Sequence, residues 1–275
     1  MCSSPYIPVF GRAGPLNVSV LAVDLALGTL RLTPITNTTL SAVGVMGASG
    51  AARGRKLWGG INGGYFWRTD VSSFADGVCL GKTRADATAA PSASAPNHGV
   101  GDGAVVGGGA LLGSNCNCVG FSRPAVLTLN GSSSRVDVVH RGDPPPFGLA
   151  FESIAAGPNL VSSNASGAFV DIPKDDDNIG NILEHSANTA VGLLPSGIAL
   201  LVTTDGFDEC SGLDPTCGAN AFTLAYLMKD FFNVSSALGM DQGGSTTMWV
   251  QGLGVVSNPG KGERDVFSAL FVEEL

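Results

Sequence analysis

The sequence predicts a mixed α/β (α+β) fold: one β-rich domain over residues 1–275, with mixed sheets and few helices. Three observations predict it. The chain holds 39 glycines and 15 prolines, which favour tight turns between short elements. Apolar residues recur mostly as short alternating or β-branched runs, the pattern of strands. Only one segment, 221–233, carries a clear helical spacing. At 275 residues with 44% hydrophobic content, the chain can bury a sizeable core.

In chain order, residues 17–33 alternate apolar and polar, and Gly28 divides them into the two strands of an expected hairpin. Residues 41–52 are small and glycine-rich and read as a short helix. Leu57 to Ile61 read as a buried strand that runs into Asn62-Gly63-Gly64-Tyr65-Phe66. Residues 81–103, rich in Ala, Ser, Pro and Gly, read as a surface loop. Short strands follow at 104–106, 125–129 and 135–139, with Asn130-Gly131 marking a hairpin turn between the last two. Pro144 to Pro146 form a stiff connector.

The last third changes character. Residues 198–204 are an apolar, β-branched run ending at Asp205-Gly206. The helical segment 221–233 follows, then a strand at 235–240 ending at Asp241. A strand–helix–strand order implies two parallel strands joined by a crossover. Both strands then finish at one sheet edge, where ligand sites of such units lie, and this brings Asp205 and Asp241 together. Residues 265–272 close the chain as a final strand.

Charge narrows the function. A net charge of −8 and the lack of a basic run exclude nucleic acid as a partner. No apolar stretch is long enough to span a bilayer, and no signal peptide is visible at the start. Five Asn-x-Ser/Thr sequons, at Asn17, Asn37, Asn130, Asn164 and Asn233, together with six cysteines, point to the secretory pathway. Cys210 and Cys217 bracket a short loop and are expected to pair. Cys2, Cys79, Cys116 and Cys118 then pair in an order that stays open. Zinc is disfavoured because the Cys116–Cys118 spacing lacks the usual two-residue spacer and His98, His140 and His185 show no ligand spacing.

The chemistry-bearing groups cluster late. Asp205, Glu209 and Asp241 form a candidate acid/base set, since glycosidic cleavage uses paired carboxyls. An isolated Asp-Gly makes turns; two at the ends of apolar strands joined by a helix are harder to dismiss. Gly243, Gly244, Ser245 and Thr246 follow Asp241, and glycines with hydroxyls suit an anion such as phosphate. No Lys completes a phosphate-binding P-loop, and no Gly-x-Ser-x-Gly elbow supports a serine triad. Asn62, Gly63 and Gly64 offer an amide able to read a hydroxyl or phosphate oxygen. Asp175 to Asp177 read as a solvated turn.

Five segments then fall in a familiar order: Ile61–Phe66 (INGGYF), Ala155–Val161 (AAGPNLV), Asn188–Leu193 (NTAVGL), Leu200–Gly206 (LLVTTDG) and Asp241–Met248 (DQGGSTTM), preceded by a strand at Leu21–Leu25. Over nearly the whole chain this resembles the phosphodiester glycosidase family. The resemblance implies cleavage of an α-linked, N-acetylglucosamine-like sugar from a sugar-1-phosphodiester, without an organic cofactor. It implies catalytic roles for Asp205, Glu209 and Asp241, and substrate contacts from Asn62, Gly63, Gly64, Asn188, Thr189, Gly243, Gly244, Ser245 and Thr246. The Cys210–Cys217 loop is also similar to the family's. The chain departs from the pattern at Asn188, where the family has an arginine suited to bidentate phosphate binding. It departs again at Phe207 and Gln242. A non-catalytic, secreted glycan-binding protein on the same scaffold is the alternative reading.

Overall fold

A computed structural model describes residues 6–13, 16–68, 99–101, 105–112, 125–130, 133–138, 152–172, 182–206, 217–258 and 262–275. For 6–13, 37–39, 67–68, 99–101, 110–111, 125–130 and 133–138 only the backbone is described. The elements in chain order are β1 (Tyr6–Ala13), β2 (Leu16–Asp24), β3 (Leu30–Ser41), α1 (Val43–Ala52), β4 (Leu57–Asn62), β5 (Phe66–Arg68), β6 (Gly99–Gly101), β7 (Val105–Gly107), β8 (Ala110–Leu111), β9 (Ala125–Asn130), β10 (Ser133–Val138), β11 (Glu152–Ala156), β12 (Asn159–Asn164), β13 (Gly167–Val170), β14 (Asn188–Leu193), β15 (Ile198–Thr204), α2 (Ala221–Tyr226), β16 (Ser236–Gly239), β17 (Met248–Val250), β18 (Gly254–Val255) and β19 (Val266–Glu274). The molecule is β-rich, as expected, and its described strand pairs are antiparallel.

Two sheets face each other. The larger has the order β1-β2-β15-β14-β16-β12-β13, and the smaller β18-β17-β4-β19-β3. Alternation along the strands sorts side chains into layers. Leu21, Val23, Val191, Leu193, Leu201 and Leu238 of the larger sheet meet Leu30, Leu32, Ile61, Leu270 and Val272 of the smaller in one core. The intervening residues Val18, Val20, Ala190 and Val202 face outward onto Leu224, Ala225 and Met228 of α2 and its continuation. On the far side Ala269 and Phe271 face Val43 and Met46 of α1. The result is a helix–sheet–sheet–helix stack, flanked by a third sheet of order β10-β9-β11-β7-β8.

Helix α1 forms as expected at the glycine-rich stretch, and its glycines explain how it docks. A Cβ on Gly47 would lie 2.9 Å from the Trp249 ring, and one on Gly50 would lie 2.4 Å from the Leu57 side chain. β9 and β10 pair antiparallel from Asn130–Ser133 outward, as a hairpin requires, while Gly131 of the expected turn lies outside the described residues. Most of the loop expected at 81–103 lies outside the described residues, as do Cys2, Cys79, Cys116, Cys118, Pro144 to Pro146 and the Asp175–Asp177 run.

Three expectations need correction. Residues 17–33 are not a hairpin: β2 joins the larger sheet and β3 the smaller, and the link between them turns a corner. Asp24 accepts the Ala26 N–H at 3.0 Å, and Gly28 closes the corner at φ 66°. The helix at 221–233 holds α-geometry only to Tyr226, then widens into a π-helical turn over Leu227–Phe231. Finally, β15 and β16 run in the same direction and end at one edge, but they are not neighbours. β14 lies between them, antiparallel to both.

A charged cluster sits at the opposite pole from that edge. Arg31 and Arg55 both bond Glu273, at 2.7 Å each, and Arg31 lies 3.8 Å from Glu152. Hydrogen bonds from Arg55, then Arg31, hold the Glu273 carboxyl below the usual carboxylate range. Burial pushes the Glu152 carboxyl up, against a partial offset from the Gly108 N–H. Glu152 is 3% exposed, and its Oε2 has no hydrogen-bond partner among the described residues. The two carboxyls therefore act with opposite sign. Glu273 stabilises above its unfolded pKa and loses that contribution as pH falls through its lowered folded value. Glu152, raised, costs stability when ionised and regains it as pH falls. Glu152→Gln should therefore raise Tm at neutral pH, with the gain shrinking toward zero in acid. Glu273→Gln should lower Tm by an amount that also shrinks in acid. Thermal melts across the pH range check both; a pH-independent Glu152→Gln difference would overturn the assignment.

Candidate active site

Register fixes which residues share the edge. Gly239 pairs with Ala190 and Asn188 with Thr204, while the Met240 N–H donates to the Thr189 carbonyl at 2.8 Å. Asp241 therefore comes level with Asn188, and Asp205 lies one residue past Thr204 on the other side. With strands about 4.8 Å apart, the two aspartate backbones flank β14 at about 10 Å.

Asp205 is half-buried and engaged through both oxygens. Oδ1 accepts the Asn258 N–H at 2.9 Å, and Oδ2 accepts the Asn17 amide at 3.2 Å. It thus ties β15 to β2 and to the segment after β18. Gly206 then passes where no side chain fits: a Cβ there would lie 2.0 Å from the Ala187 nitrogen. Glu209 and Cys210 lie outside the described residues. Cys217 is buried and disulfide-bonded.

Asp241 begins the glycine–hydroxyl loop. Its Oδ1 accepts the Gln242 N–H at 2.9 Å, and its own N–H donates to the Gly63 carbonyl at 3.0 Å. Gly243 needs its φ of 64°, and its N–H donates to Ala187. The hydroxyls of Ser245, Thr246 and Thr247 are buried and have no hydrogen-bond partner among the described residues, and the same holds for Thr203 on β15. Four orphaned hydroxyls at one end of a site are unusual, because buried polar groups are normally paired.

Asn62 joins these pieces. It is 0% exposed. Its Oδ1 accepts the Thr189 hydroxyl at 2.7 Å and the Thr247 N–H at 3.0 Å. Its Nδ2 donates to the Asp241 carbonyl at 2.8 Å and to the Gly63 carbonyl at 3.3 Å. The amide expected to read substrate is sealed and saturated inside the protein, and Thr189 is sealed with it. Both position Asp241 rather than line a surface. Gly63 and Gly64 are glycine because backbone passes too close for anything larger: a Cβ on Gly64 would lie 2.2 Å from the Ala155 carbonyl oxygen.

Asn188 also turns inward. Its Nδ2 donates to the carbonyls of Ser186 at 2.9 Å and Ala219 at 2.7 Å. Beside it His185 Nδ1 lies 3.0 Å from the Gly218 carbonyl, and Asn220 Nδ2 lies 3.3 Å from His185 Nε2. A carbonyl only accepts, so Nδ1 carries the proton and Nε2 accepts. Asn220 also caps α2 through the Thr223 N–H. This pins the approach to Asn188 against the helix start.

The edge holds one further carboxylate. β12 begins and β13 ends there, and Asp171 Oδ2 accepts from Asn159 Nδ2 at 2.9 Å and from the Ser162 hydroxyl at 2.7 Å. Asn159 lay within the Ala155–Val161 motif, but nothing in the sequence singled out Asp171. Asn258 was missed, and His185 was considered only as a metal ligand, because their partners Asp205 and Gly218 are distant in sequence.

Comparisons with known proteins agree with this architecture. The catalytic domain of zebrafish N-acetylglucosamine-1-phosphodiester alpha-N-acetylglucosaminidase, auto-inhibited by its pro-peptide, superposes with a TM-score of 0.62 at 18% identity, covering 100% of this chain and 86% of that one. A hypothetical protein from Synechocystis gives 0.54 at 13% identity, covering 98% and 62%. A putative exported protein from Burkholderia pseudomallei K96243 gives 0.54 at 16%, covering 94% and 74%. At these identities the likeness is one of fold. No curated protein matches the chain. A sequence model of the phosphodiester glycosidases matches residues 82–273, most of the chain and all of the edge just described except Asn17 and Asn62 to Gly64. The chain belongs to the phosphodiester glycosidase family.

Proposed function

We propose that the protein hydrolyses an α-linked, N-acetylglucosamine-like sugar from a sugar-1-phosphodiester in the secretory pathway. The observation that carries this reading is the convergence of Asp205, Asp241 and the hydroxyl loop on one sheet edge in a phosphodiester glycosidase. Asp205, Glu209 and Asp241 form the acid/base set: one carboxyl protonates the leaving oxygen and another activates water or attacks the anomeric carbon. Gly243, Gly244, Ser245 and Thr246 bind the phosphate. The hydroxyls of Ser245 and Thr246, buried and without a partner among the described residues, support this: a phosphate oxygen would supply the partner once the loop opens to admit it. Local donors are needed because the chain's charge of −8 repels an anionic substrate at long range.

A second reading, non-catalytic glycan binding, is favoured by one observation. Asn188, where the family carries arginine, supplies no charge and spends its amide on two backbone carbonyls. One experiment separates the two readings. Purified protein is incubated with an N-acetylglucosamine-1-phosphodiester and with a nucleotide diphosphate sugar, and free sugar is measured. Turnover establishes the glycosidase; binding without turnover establishes the alternative.

A further inference from the structure

The helix that covers the larger sheet carries aromatic rings that the protein leaves uncovered. Phe222 and Tyr226, four residues apart on one face of α2, are exposed, and Phe231 on the π-helical turn is 71% exposed. Phe232 meets Phe231 edge-to-face with centroids 5.1 Å apart and props the outer ring in place. A strip of this kind on a chain bound for water calls for a cover.

Asn233 follows directly, within the sequon Asn233-Val234-Ser235. It is exposed and held at φ 56°, the left-handed conformation that Asn tolerates at a helix end. Residues on both sides are anchored. The Phe232 N–H donates to Leu227 and the Val234 N–H to Met228, both at 3.1 Å, and Val234 is buried. The Ser235 N–H and hydroxyl both donate to the Leu193 carbonyl. Asn233 therefore projects from a rigid turn, and its own amide makes no hydrogen bond to a described residue. The other described sequon amides differ. Asn17 bonds Asp205, and Asn164 accepts the Ser166 N–H to close the β12–β13 turn.

We propose that Asn233 carries an N-linked glycan and that its first N-acetylhexosamine stacks on Phe231, covering the aromatic strip. The C–H face of a pyranose presents weakly positive hydrogens, which suit the negative face of an aromatic ring. In the transfer, Asn233 Nδ2 bonds to the anomeric carbon of a lipid-linked oligosaccharide diphosphate in the secretory pathway. The lipid diphosphate leaves, and the amide gives up one proton. The disulfide at Cys217 fits an oxidising compartment, of which the secretory pathway is one.

The test uses the full chain secreted from a eukaryotic host. Mass spectrometry of the peptide that begins after Lys229 reads occupancy at Asn233 by the Asn-to-Asp conversion that enzymatic deglycosylation leaves. Phe231→Ala is then made in the glycosylated chain and in an Asn233→Asp background, which keeps a side chain tolerant of the left-handed turn. Expected are high occupancy at Asn233 and a Phe231→Ala loss in Tm that is larger by about 2–4 °C when the glycan is present, the shift one ordinary interaction makes at this chain length. An unmodified Asn233, or an equal Tm loss in the two backgrounds, overturns the proposal.

Discussion

Asn62→Ala is expected to lower stability by more than about 4 kcal/mol, the size reserved for the loss of a buried network. The reason is arithmetic on partners rather than on volume. Removing the amide strands the Thr189 hydroxyl and the Thr247 N–H and takes the Asn62 donor from the Asp241 carbonyl, in a place no water reaches, while the Gly63 carbonyl keeps the Asp241 N–H. Each orphaned group costs about 1–3 kcal/mol, with some recovered by relaxation. For a chain of this size the Tm should fall by about 10 °C or more. Asn62→Asp isolates the donor half. Its Oδ1 still accepts, but the second oxygen faces two carbonyls and has nothing to donate. The introduced carboxyl should therefore hold a raised pKa, so stability should recover as pH falls and it gains a proton to donate to Asp241. Differential scanning calorimetry across pH checks both variants. A loss below about 1 kcal/mol for Asn62→Ala would show that the edge stands without it.

The link that Asn62 makes is one sequence could not display. Its motif was legible, while the reason for the two glycines after it, the close passage of Ala155 and Ser268, was not. Its direction was not, because the partners are Thr189 and Thr247, on strands far along the chain. A sealed amide and a substrate-reading amide look the same in a motif. Asn188 shows the same limit, since its position was legible while its bonds to Ser186 and Ala219 depend on the bridge that Ser186 and Ala219 form far along the chain.

The corner at Gly28 shows a different limit. Alternation marked β2 and β3 as strands, and each puts one face into the central core. It could not tell whether they bury that face side by side or from opposite sides. Leu21 and Val23 meet Leu30 and Leu32 across one core, and a hairpin would have the same period. The π-helical turn was hidden for a related reason. Its spacing is nearly helical, and it widens because Phe232 and Val234 swing round to join the core under α2. By contrast, the placing of Asp205 and Asp241 at one edge needed only that two apolar strands run in one direction, and an intervening strand does not alter that.

Asp241→Asn is expected to reduce kcat by about 10²- to 10⁴-fold, the range for losing a positioned acid or base, while leaving the fold intact. The geometry makes the comparison clean. The amide retains an Oδ1 to accept the Gln242 N–H, and the backbone bonds from Asp241 to Gly63 and from Asn62 to Asp241 are untouched. These bonds should therefore hold the loop in place in the variant. Asp205→Asn is less clean, because its new amide meets the Asn17 amide donor to donor until Asn17 turns over. It should lose activity and also some stability. The pH profile separates the roles: a residue that moves protons takes one limb of the bell with it, whereas a positioning residue lowers the whole curve and keeps its shape. Glu209→Gln belongs beside these two, so that the missing limb can be assigned. If Asp241→Asn turns over the phosphodiester within about threefold of the parent, Asp241 is not a proton carrier. The proton would then be carried by Asp205 or Glu209, and Asp241 would serve to position the sugar.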